Sequence, residues 1–208
     1  MRFEDRNDAG KKLAKNIQLE NPKNTIVLAL PRGGVPLGLQ ISKKHNIPFD
    51  VIHSKKIVHP LQTEFAIGAL AENGEPILNE QVRIDQRWID HDTERVIEEI
   101  ARRRKLYDSF LTKQTIEGKD VILVDDGIAT GMTMFAAIEA VKKQQPNKVV
   151  VAVPVIPKET FYQLEDLVDQ VIYVDVPDRF QGAVGAYYRY FPQISDKEIQ
   201  EMIEAHNA

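Results

Sequence analysis

The chain of 208 residues contains no cysteine. Disulfide bonds, thiolate nucleophiles and zinc sites built on sulfur ligands are therefore excluded. The sequence also lacks a secretory signal pattern and any apolar run near the ~18 residues that a membrane-spanning helix requires. These absences predict a cytoplasmic protein that has no membrane partner.

A strong excess of charge of one sign is missing as well. The 27 Lys and Arg residues against 31 Asp and Glu give a formal net charge of −4, which argues against general affinity for nucleic acid. No internal repeat or low-complexity segment is visible. Because a typical domain has ~100–200 residues, we expect residues 1–208 to form a single domain.

The most informative stretch runs from Val121 to Thr133 and has the sequence Val-Ile-Leu-Val-Asp-Asp-Gly-Ile-Ala-Thr-Gly-Met-Thr. Its first four residues form an apolar run that is typical of a parallel strand buried on both faces. Apolar residues that share one face of a helix follow at Met134, Ala137, Ile138 and Val141. The turn between strand and helix therefore opens at the carboxyl end of a strand, where open α/β sheets bind ligands.

The turn itself has the residues of an anion-binding loop. Gly127 and Gly131 allow the backbone to approach an anion closely, and the first N–H groups of the helix point toward it. Thr130 and Thr133 add hydroxyl donors. A phosphate group suits this loop.

Two adjacent carboxylates, Asp125 and Asp126, precede the loop. They would repel a phosphate unless they face hydroxyl groups or a metal ion, and the vicinal hydroxyls of a ribose satisfy them. An ordinary Asp-Asp-Gly turn is the alternative, although such a turn does not require the Thr-Gly-x-Thr sequence that follows. A Walker-type nucleotide site is discarded because no G-x-x-x-x-G-K-[ST] sequence accompanies the doublet.

The stretch resembles the motif of type I phosphoribosyltransferases that binds 5-phosphoribosyl 1-pyrophosphate (PRPP). The resemblance implies that Asp125 and Asp126 hold the ribose hydroxyls and a Mg²⁺ ion and take part in catalysis. It implies further that the loop wraps the 5-phosphate, with the substrate-binding residues Ala129, Thr130, Gly131, Met132 and Thr133.

A second predicted strand, Thr25 to Leu30, also ends in a glycine-containing loop, and a helix follows through Ser42. In this loop, Arg32 carries a planar set of donors that matches phosphate oxygens, although one arginine in a flexible turn is weak evidence alone. Arg32, Gly33 and Gly34 resemble the pyrophosphate-binding loop of the same family, which often contains a cis peptide bond. Neighbouring parallel strands would bring both loops to one edge of the sheet.

A lysine pair follows the next predicted strand, Phe49 to His53. In the family, a basic residue near this place reaches the pyrophosphate, which makes Lys56 a catalytic candidate, or Lys55 if the register differs. A solvated surface pair is the alternative interpretation.

The segment of about residues 57–76 resembles the mobile lid loop of the family. Closure of a lid would exclude water from the reactive sugar, and His59 and Glu64 are the polar candidates on it. Beside it, residues 66–71 and 77–79 predict an antiparallel pair, because they flank an Asn-Gly turn signal.

The remaining sequence alternates helical and strand patterns. Helices are predicted at residues 5–19, 85–111, 158–167 and 195–206, the last with a capping box formed by Ser195 and Glu198. Further strands are predicted at residues 148–153 and 171–174. The alternation predicts an α/β fold with a Rossmann-like, mostly parallel sheet that is flanked by helices.

The aromatic-rich segment of about residues 175–194 resembles the hood subdomain that covers the nucleobase in this family. Its aromatic residues would line the base or, alternatively, belong to the core. Pro177 to Phe180 resembles a segment of the hypoxanthine-guanine branch in which an aspartate, here Asp178, helps to bind magnesium. Val171 stands where that branch has a purine-stacking aromatic residue, so the acceptor base is not identified.

The resemblance as a whole implies an enzyme of nucleotide metabolism, a Mg²⁺-dependent phosphoribosyltransferase. It would transfer ribose 5-phosphate from PRPP to a nitrogenous base or related acceptor and release pyrophosphate. The alternative is a non-catalytic protein on the same fold that senses PRPP or a nucleotide. In either case the expected partners are small molecules, PRPP and a nucleobase-like acceptor, with a homodimer as a possible assembly.

Overall fold

The computed structural model describes residues 2–59, 61–79 and 84–208, and of residues 62–65 it describes the backbone alone. The strands in chain order are β1 (Thr25–Ala29), β2 (Phe49–Val51), β3 (Ser54–His59), β4 (Gln62–Ala71), β5 (Ile77–Leu78), β6 (Asp120–Val124), β7 (Lys148–Val155) and β8 (Gln170–Asp175). The helices are α1 (Arg6–Asn16), α2 (Gly34–His45), α3 (Gln86–Tyr107), α4 (Met132–Lys142), α5 (Lys158–Glu165) and α6 (Asp196–Asn207). The strands form a parallel sheet and a smaller antiparallel sheet.

The main sheet has the strand order β2-β1-β6-β7-β8, and each neighbouring pair is parallel. The predicted fold class, a mostly parallel sheet flanked by helices, is confirmed. Pairing of Ala29 with Val124 aligns the carboxyl ends of β1 and β6. The two glycine-containing loops therefore leave adjacent strands at the same level of the sheet.

Both faces of the main sheet are buried, as its continuous apolar strands predicted. In β1, Val27 and Ala29 face the core shared with α1, α2 and α6, whereas Ile26 and Leu28 face the core shared with α4 and α5. This alternation follows from the two-residue period of a strand. The apolar stripe predicted on α4 lies in the second core and consists of Met134, Ala137, Ile138 and Val141.

The smaller sheet has the order β3-β4-β5, and its pairings are antiparallel. Pairing of Ala69 with Ile77 confirms the antiparallel pair predicted for residues 66–71 and 77–79. One face of this sheet packs on α3 in a small core that includes Ile57, Leu70, Val96 and Ile100.

Most of the predicted lid, residues 57–76, is strand in β3 and β4. The reason is the long-range pairing of the two strands, which begins with Ser54 opposite Ala71 and shifts register after Ile57. Closure of this hairpin over a ligand stays a prediction, and the side chain of Glu64 lies outside the described residues.

Local capping signals define several helix ends. The Asp5 carboxylate accepts a hydrogen bond from the Asp8 N–H at the start of α1. Ser195 forms the predicted capping box at the start of α6. Helix α3 ends at Tyr107 rather than at residue 111, because a turn follows in which the Phe110 N–H donates to the Tyr107 carbonyl at 2.9 Å.

The segment after β8 is mostly irregular and contains one 3-10 turn, Val184–Tyr187. It docks on the start of the chain, since the Phe3 N–H donates to the Tyr187 carbonyl at 2.7 Å and the Arg189 N–H donates to the Phe3 carbonyl at 2.8 Å. The rings of Phe3 and Tyr188 lie 5.3 Å apart and are buried. The residues just before α1 and the segment of residues 175–194 therefore form one packed unit. Whether residues 175–194 cover a nucleobase as a hood stays a prediction.

Candidate functional site

The two glycine-containing loops meet at the carboxyl edge of the main sheet. The Leu30 N–H donates to the Val124 carbonyl at 2.8 Å, and this hydrogen bond extends the β1–β6 pairing to the point where both loops begin. The Gly34 N–H then donates to the Leu30 carbonyl at 2.9 Å, which turns the first loop into α2. The peptide bond between Pro31 and Arg32 is cis.

Gly33 and Gly34 allow this close approach because they have no side chain. A Cβ atom on Gly33 would lie 2.1 Å from Oδ2 of Asp126, and one on Gly34 would lie 2.4 Å from the Val124 carbonyl oxygen. The backbone of Gly33 has φ −62° and ψ −36°, an ordinary right-handed conformation. Glycine is therefore required at this position because a side chain would not fit, and not because of the backbone conformation.

The loop between β6 and α4 presents unused backbone donors. Within the part of the chain that the structure describes, the amides of residues 129–133 have no acceptor in the protein. The Ile128 N–H, by contrast, donates to the Val155 carbonyl at 2.9 Å and anchors the loop to β7. Gly131, with φ 80°, brings the chain into α4 through a left-handed conformation that favours glycine. The predicted anion loop thus has the free N–H groups that an anion at a helix start requires.

Asp125 and Asp126 lie directly before these amides and are half-buried. The Asp126 N–H donates to Oδ1 of Asp125 at 2.8 Å, and the Tyr188 hydroxyl donates to the Asp126 carbonyl at 2.5 Å. Removal from water, followed by the charge of Asp126, raises the pKa of Asp125 well above its usual range. Removal from water also raises the pKa of Asp126, against the effect of the nearby Arg6.

Arg6, at the start of α1, is a site residue that no sequence pattern singled out. Its Nε donates to Oδ2 of Asp126 at 2.8 Å, and its Nη1 donates to the Pro192 carbonyl at 2.7 Å. Its guanidinium carbon lies 3.7 Å from the centre of the Phe191 ring. No local motif marks this arginine, because Asp126 is 120 residues away in the sequence.

The lysine pair on β3 is divided between the two faces of the strand. Lys55 forms an ion pair with Glu99 of α3. Ser54, its neighbour, faces the other way and donates from its hydroxyl to the Thr133 carbonyl at 2.9 Å. Because side chains alternate along a strand, Lys56 shares the face of Ser54 and is exposed on the side of the anion loop.

A family model, described as the phosphoribosyl transferase domain, matches residues 3–189 of this chain. The chain belongs to this family. A provisionally named phosphoribosyl transferase of Mycobacterium tuberculosis, Rv0571c, is 35% identical over 206 residues, which cover 97% of this chain and 46% of that protein. The chain therefore spans about half the length of the curated relatives it matches.

Solved structures share the fold of this chain. The crystal structure of TT1426 from Thermus thermophilus has a TM-score of 0.83 and 35% sequence identity, with 99% of each chain covered. A hypothetical protein from Neisseria gonorrhoeae with bound ppGpp has a TM-score of 0.51 at 13% identity, with 99% of this chain and 98% of that chain covered. At that identity the likeness concerns the fold alone. None of the described helices is long and apolar enough to cross a membrane.

The family implies Mg²⁺, and the residues of the doublet fit such an ion. Carboxylate oxygens are the hard donors that Mg²⁺ prefers, and Mg²⁺ usually takes one or two of them together with phosphate oxygens of a substrate. Among the residues that the structure describes, no group of three or more His, Asp or Glu side chains is arranged to hold a metal ion. Asp125 and Asp126 would supply two carboxylate groups to such an ion.

Three further residues were predicted to belong to the site, namely Arg32, His59 and Asp178. Arg32 is partly buried in the first loop. His59 ends β3, where its ring Nδ1 accepts from the Leu61 N–H at 3.1 Å. Asp178 is exposed in the segment after β8.

The aromatic residues of that segment divide between core and surface. Tyr187 and Tyr188 are buried, as is typical of core residues, and the Phe180 ring is stacked on Tyr187 at 5.3 Å. Tyr190 is 68% exposed and is free to contact a ligand. Phe191 lies under the guanidinium of Arg6. Tyr187 and Tyr188 are therefore core residues, and a role of Tyr190 in lining a base stays a prediction.

Proposed function

We propose that this chain is a Mg²⁺-dependent phosphoribosyltransferase. It transfers ribose 5-phosphate from PRPP to a nitrogenous base or related acceptor and releases pyrophosphate. The observation that supports this most strongly is the row of amides at residues 129–133 that have no acceptor among the described residues, which begins three residues after Asp126 of a half-buried acidic doublet. A sugar phosphate has the matching sequence of groups, hydroxyls beside a phosphate.

Each part of PRPP has a protein counterpart in this proposal. The amides of residues 129–133 and the hydroxyls of Thr130 and Thr133 bind the 5-phosphate. Asp125 and Asp126 accept hydrogen bonds from the ribose hydroxyls. The loop of Arg32, Gly33 and Gly34 contacts the pyrophosphate, and so does Lys56.

The reaction is a displacement at C1 of the ribose. A bond forms between C1 and a nitrogen of the acceptor while the bond between C1 and a pyrophosphate oxygen breaks, and the oxygen leaves with the bonding electrons. The protein holds the two reactants in line, excludes water and offsets the negative charge that develops on the leaving group, with Arg32 and Lys56 as cations. Bound Mg²⁺ would add charge neutralisation of the pyrophosphate. The proton of the acceptor nitrogen is lost to solvent or to a group on the acceptor side.

Isothermal titration calorimetry with Mg²⁺ and PRPP tests the proposal. The wild-type protein should bind, and the double variant Asp125→Asn, Asp126→Asn should bind at least about 100-fold more weakly, because hydrogen bonds to charged groups contribute roughly 1.5–3 kcal/mol each. Arg189→Gln, a change in an exposed ion pair with Glu4, is the control and should bind normally. Equal affinity of the doublet variant and the wild type would reject the assignment.

A second assay separates transfer from sensing. Release of pyrophosphate from PRPP is measured with a panel of purine and pyrimidine bases. Release with one base identifies the acceptor and the enzyme class. Tight binding of PRPP without release under any acceptor would indicate a PRPP-sensing protein on the same fold.

A further inference from the structure

Arg6 lies at the junction of the amino-terminal helix, the acidic doublet and the segment after β8. Its side chain is 11% exposed, and that of its partner Asp126 is 14% exposed. An arginine withdrawn from water to this degree needs compensating contacts, and it has three: the Asp126 carboxylate, the Pro192 carbonyl and the face of the Phe191 ring. Together these contacts hold the guanidinium plane in one orientation.

The hydrogen bond to Asp126 leaves room for a ligand. Arg6 donates through Nε to Oδ2 only. A carboxylate offers about four acceptor positions on its two oxygens, so Oδ1 of Asp126 can still accept a hydroxyl. The ion pair is therefore compatible with a sugar at the doublet.

The other contacts of Asp126 fix its backbone, and its carboxyl group also lies within hydrogen-bonding reach of the Asp125 carboxyl group. Its N–H donates to Asp125 and its carbonyl accepts from Tyr188. Gly33 passes so close to Oδ2 that the carboxylate has little space on that side. Arg6 is the side chain that donates to the same Oδ2, and with the neighbouring Asp125 carboxyl group it determines where the Asp126 carboxylate points.

We propose that Arg6 is a positioning residue of the PRPP site: it holds the Asp126 carboxylate in the orientation that accepts a ribose hydroxyl, and it links this carboxylate to Phe191 and Pro192. The inference rests on the proposed function and extends it to the first turn of α1. Arg6 itself does not touch the sugar. Its effect is transmitted through Asp126.

Two ligands distinguish this role from a general structural one. Mg²⁺-PRPP uses the doublet through its ribose, whereas pyrophosphate measured without Mg²⁺ has neither a ribose nor a metal ion for the doublet to hold and uses the loop of Arg32. Arg6→Gln should weaken the binding of Mg²⁺-PRPP about tenfold, since one charge-assisted hydrogen bond that orients the doublet is lost. Binding of pyrophosphate without Mg²⁺ should change by no more than about twofold. Arg189→Gln, which removes the same charge from a neighbouring exposed ion pair with Glu4, should change neither affinity.

A double-variant cycle tests whether Arg6 acts through Asp126. If it does, Arg6→Gln adds less than about twofold to the loss of PRPP affinity that Asp126→Asn causes alone. Full additivity of the two losses would overturn the inference, as would an equal loss of PRPP and pyrophosphate binding in Arg6→Gln.

Failure of this inference is separable from failure of the proposed function. Wild-type affinity for Mg²⁺-PRPP, measured first, decides the function. Binding by the wild type together with unchanged binding by Arg6→Gln would reject the role of Arg6 and leave the function standing.

Discussion

At the scale of single residues, Gly33 shows how tightly the two loops are packed. An alanine Cβ at this position would lie 2.1 Å from the Asp126 carboxylate, although the backbone conformation is one that alanine adopts readily. We predict that Gly33→Ala lowers the free energy of unfolding by roughly 1–3 kcal/mol, the usual range for overpacking. Urea denaturation measures this change, and calorimetry should show a parallel loss of PRPP binding.

Removing the obstructing carboxylate provides the control for Gly33→Ala. In an Asp126→Gly background the added methyl group meets no carboxylate, so Gly33→Ala should then change the free energy of unfolding by less than about 0.5 kcal/mol. A loss of the same size in both backgrounds would mean that the methyl group clashes elsewhere, and the proposed contact between the loops would be wrong.

His53 gives the protein a defined response to acid. It is 3% exposed, its ring is stacked on Tyr107 at 5.5 Å, and its Nε2 has no partner among the described residues. Burial, reinforced by the positive charges of Arg104 and Arg103 and opposed by Asp196 and Asp108, lowers the pKa of His53 from 6.5 to about 4. Between these values the unfolded chain binds a proton that the folded protein does not, so stability falls as the pH falls from 6.5 toward 4.

His53→Phe should abolish this part of the acid response while it keeps the ring stack. The shift of His53 corresponds to roughly 3 kcal/mol, at ~1.4 kcal/mol per pKa unit. The free energies of unfolding of the wild type and the variant are compared at pH 7 and pH 4.5. The wild type should lose more stability than the variant on acidification, and equal losses would show that His53 titrates normally.

The residues of the site differ in how far the sequence could predict them. The doublet and the Thr-Gly-x-Thr loop are contiguous, so their residue types and spacing were enough to place them together at a strand end. Arg6 is invisible to such reasoning, because its partner is 120 residues away in the sequence and only the tertiary fold brings the two together. A single arginine in a charged helix start carries no distinguishing signal.

At the scale of elements, side chains alternate along β3, so Lys55 and Lys56 lie on opposite faces of the strand and can be compared directly. Lys55 faces α3 and pairs with Glu99, whereas Lys56 shares the face that Ser54 turns to the anion loop. We predict that Lys56→Ala weakens Mg²⁺-pyrophosphate binding about tenfold, the loss of one contact between charged groups. Lys55→Ala should leave the affinity within about twofold, since it removes a pair that is partly exposed. Isothermal titration calorimetry measures both affinities. A larger loss of affinity in Lys55→Ala than in Lys56→Ala would assign the pyrophosphate contact to Lys55.

Helix α6 depends on its capping box more than on its surface charges. Ser195 accepts from the Glu198 N–H, and α6 buries Ile199 and Ile203 in the core shared with α1 and α2. Ser195→Ala should lower the free energy of unfolding by about 1 kcal/mol. Lys197→Ala, which removes an exposed pair with Glu201 on the same turn, should change it by less than about 0.5 kcal/mol. Urea denaturation of both variants is the measurement, and equal effects would contradict the role of the cap.

Elements encoded by local patterns were predictable, including the pair of residues 66–71 and 77–79 that an Asn-Gly turn signal marks, whereas the pairing of β3 with β4 was not. The apolar runs of β1 and β6, the stripe on α4 and the capping box of α6 each need only a few neighbouring residues. The hairpin of β3 and β4 has a polar middle and a register shift after Ile57, so its residues resembled a loop. Its strands exist because they pair with each other and because Ile57 and Leu70 pack on α3.

At the scale of the whole molecule, the candidate site is assembled from both ends of the chain and from its middle. Arg6 comes from α1, the loop of Arg32 follows β1, the doublet follows β6, and Phe191 precedes α6. A ligand that contacts these parts binds only the folded state, since the unfolded chain cannot bring them together. PRPP should therefore stabilise the entire fold and not one element.

The stabilisation that PRPP gives to the folded state can be calculated from its dissociation constant. With Mg²⁺-PRPP at about 100 times its dissociation constant, the free energy of unfolding should rise by about 2.7 kcal/mol. Thermal unfolding with and without the ligand measures the rise, and the double variant Asp125→Asn, Asp126→Asn should show almost none at the same concentration. A single cooperative transition that shifts as a unit is expected, because the parallel sheet carries both loops on adjacent strands. A shift confined to an early, partial transition would instead mean that the ligand holds only a local segment, and the joint action of the two loops would be disproved.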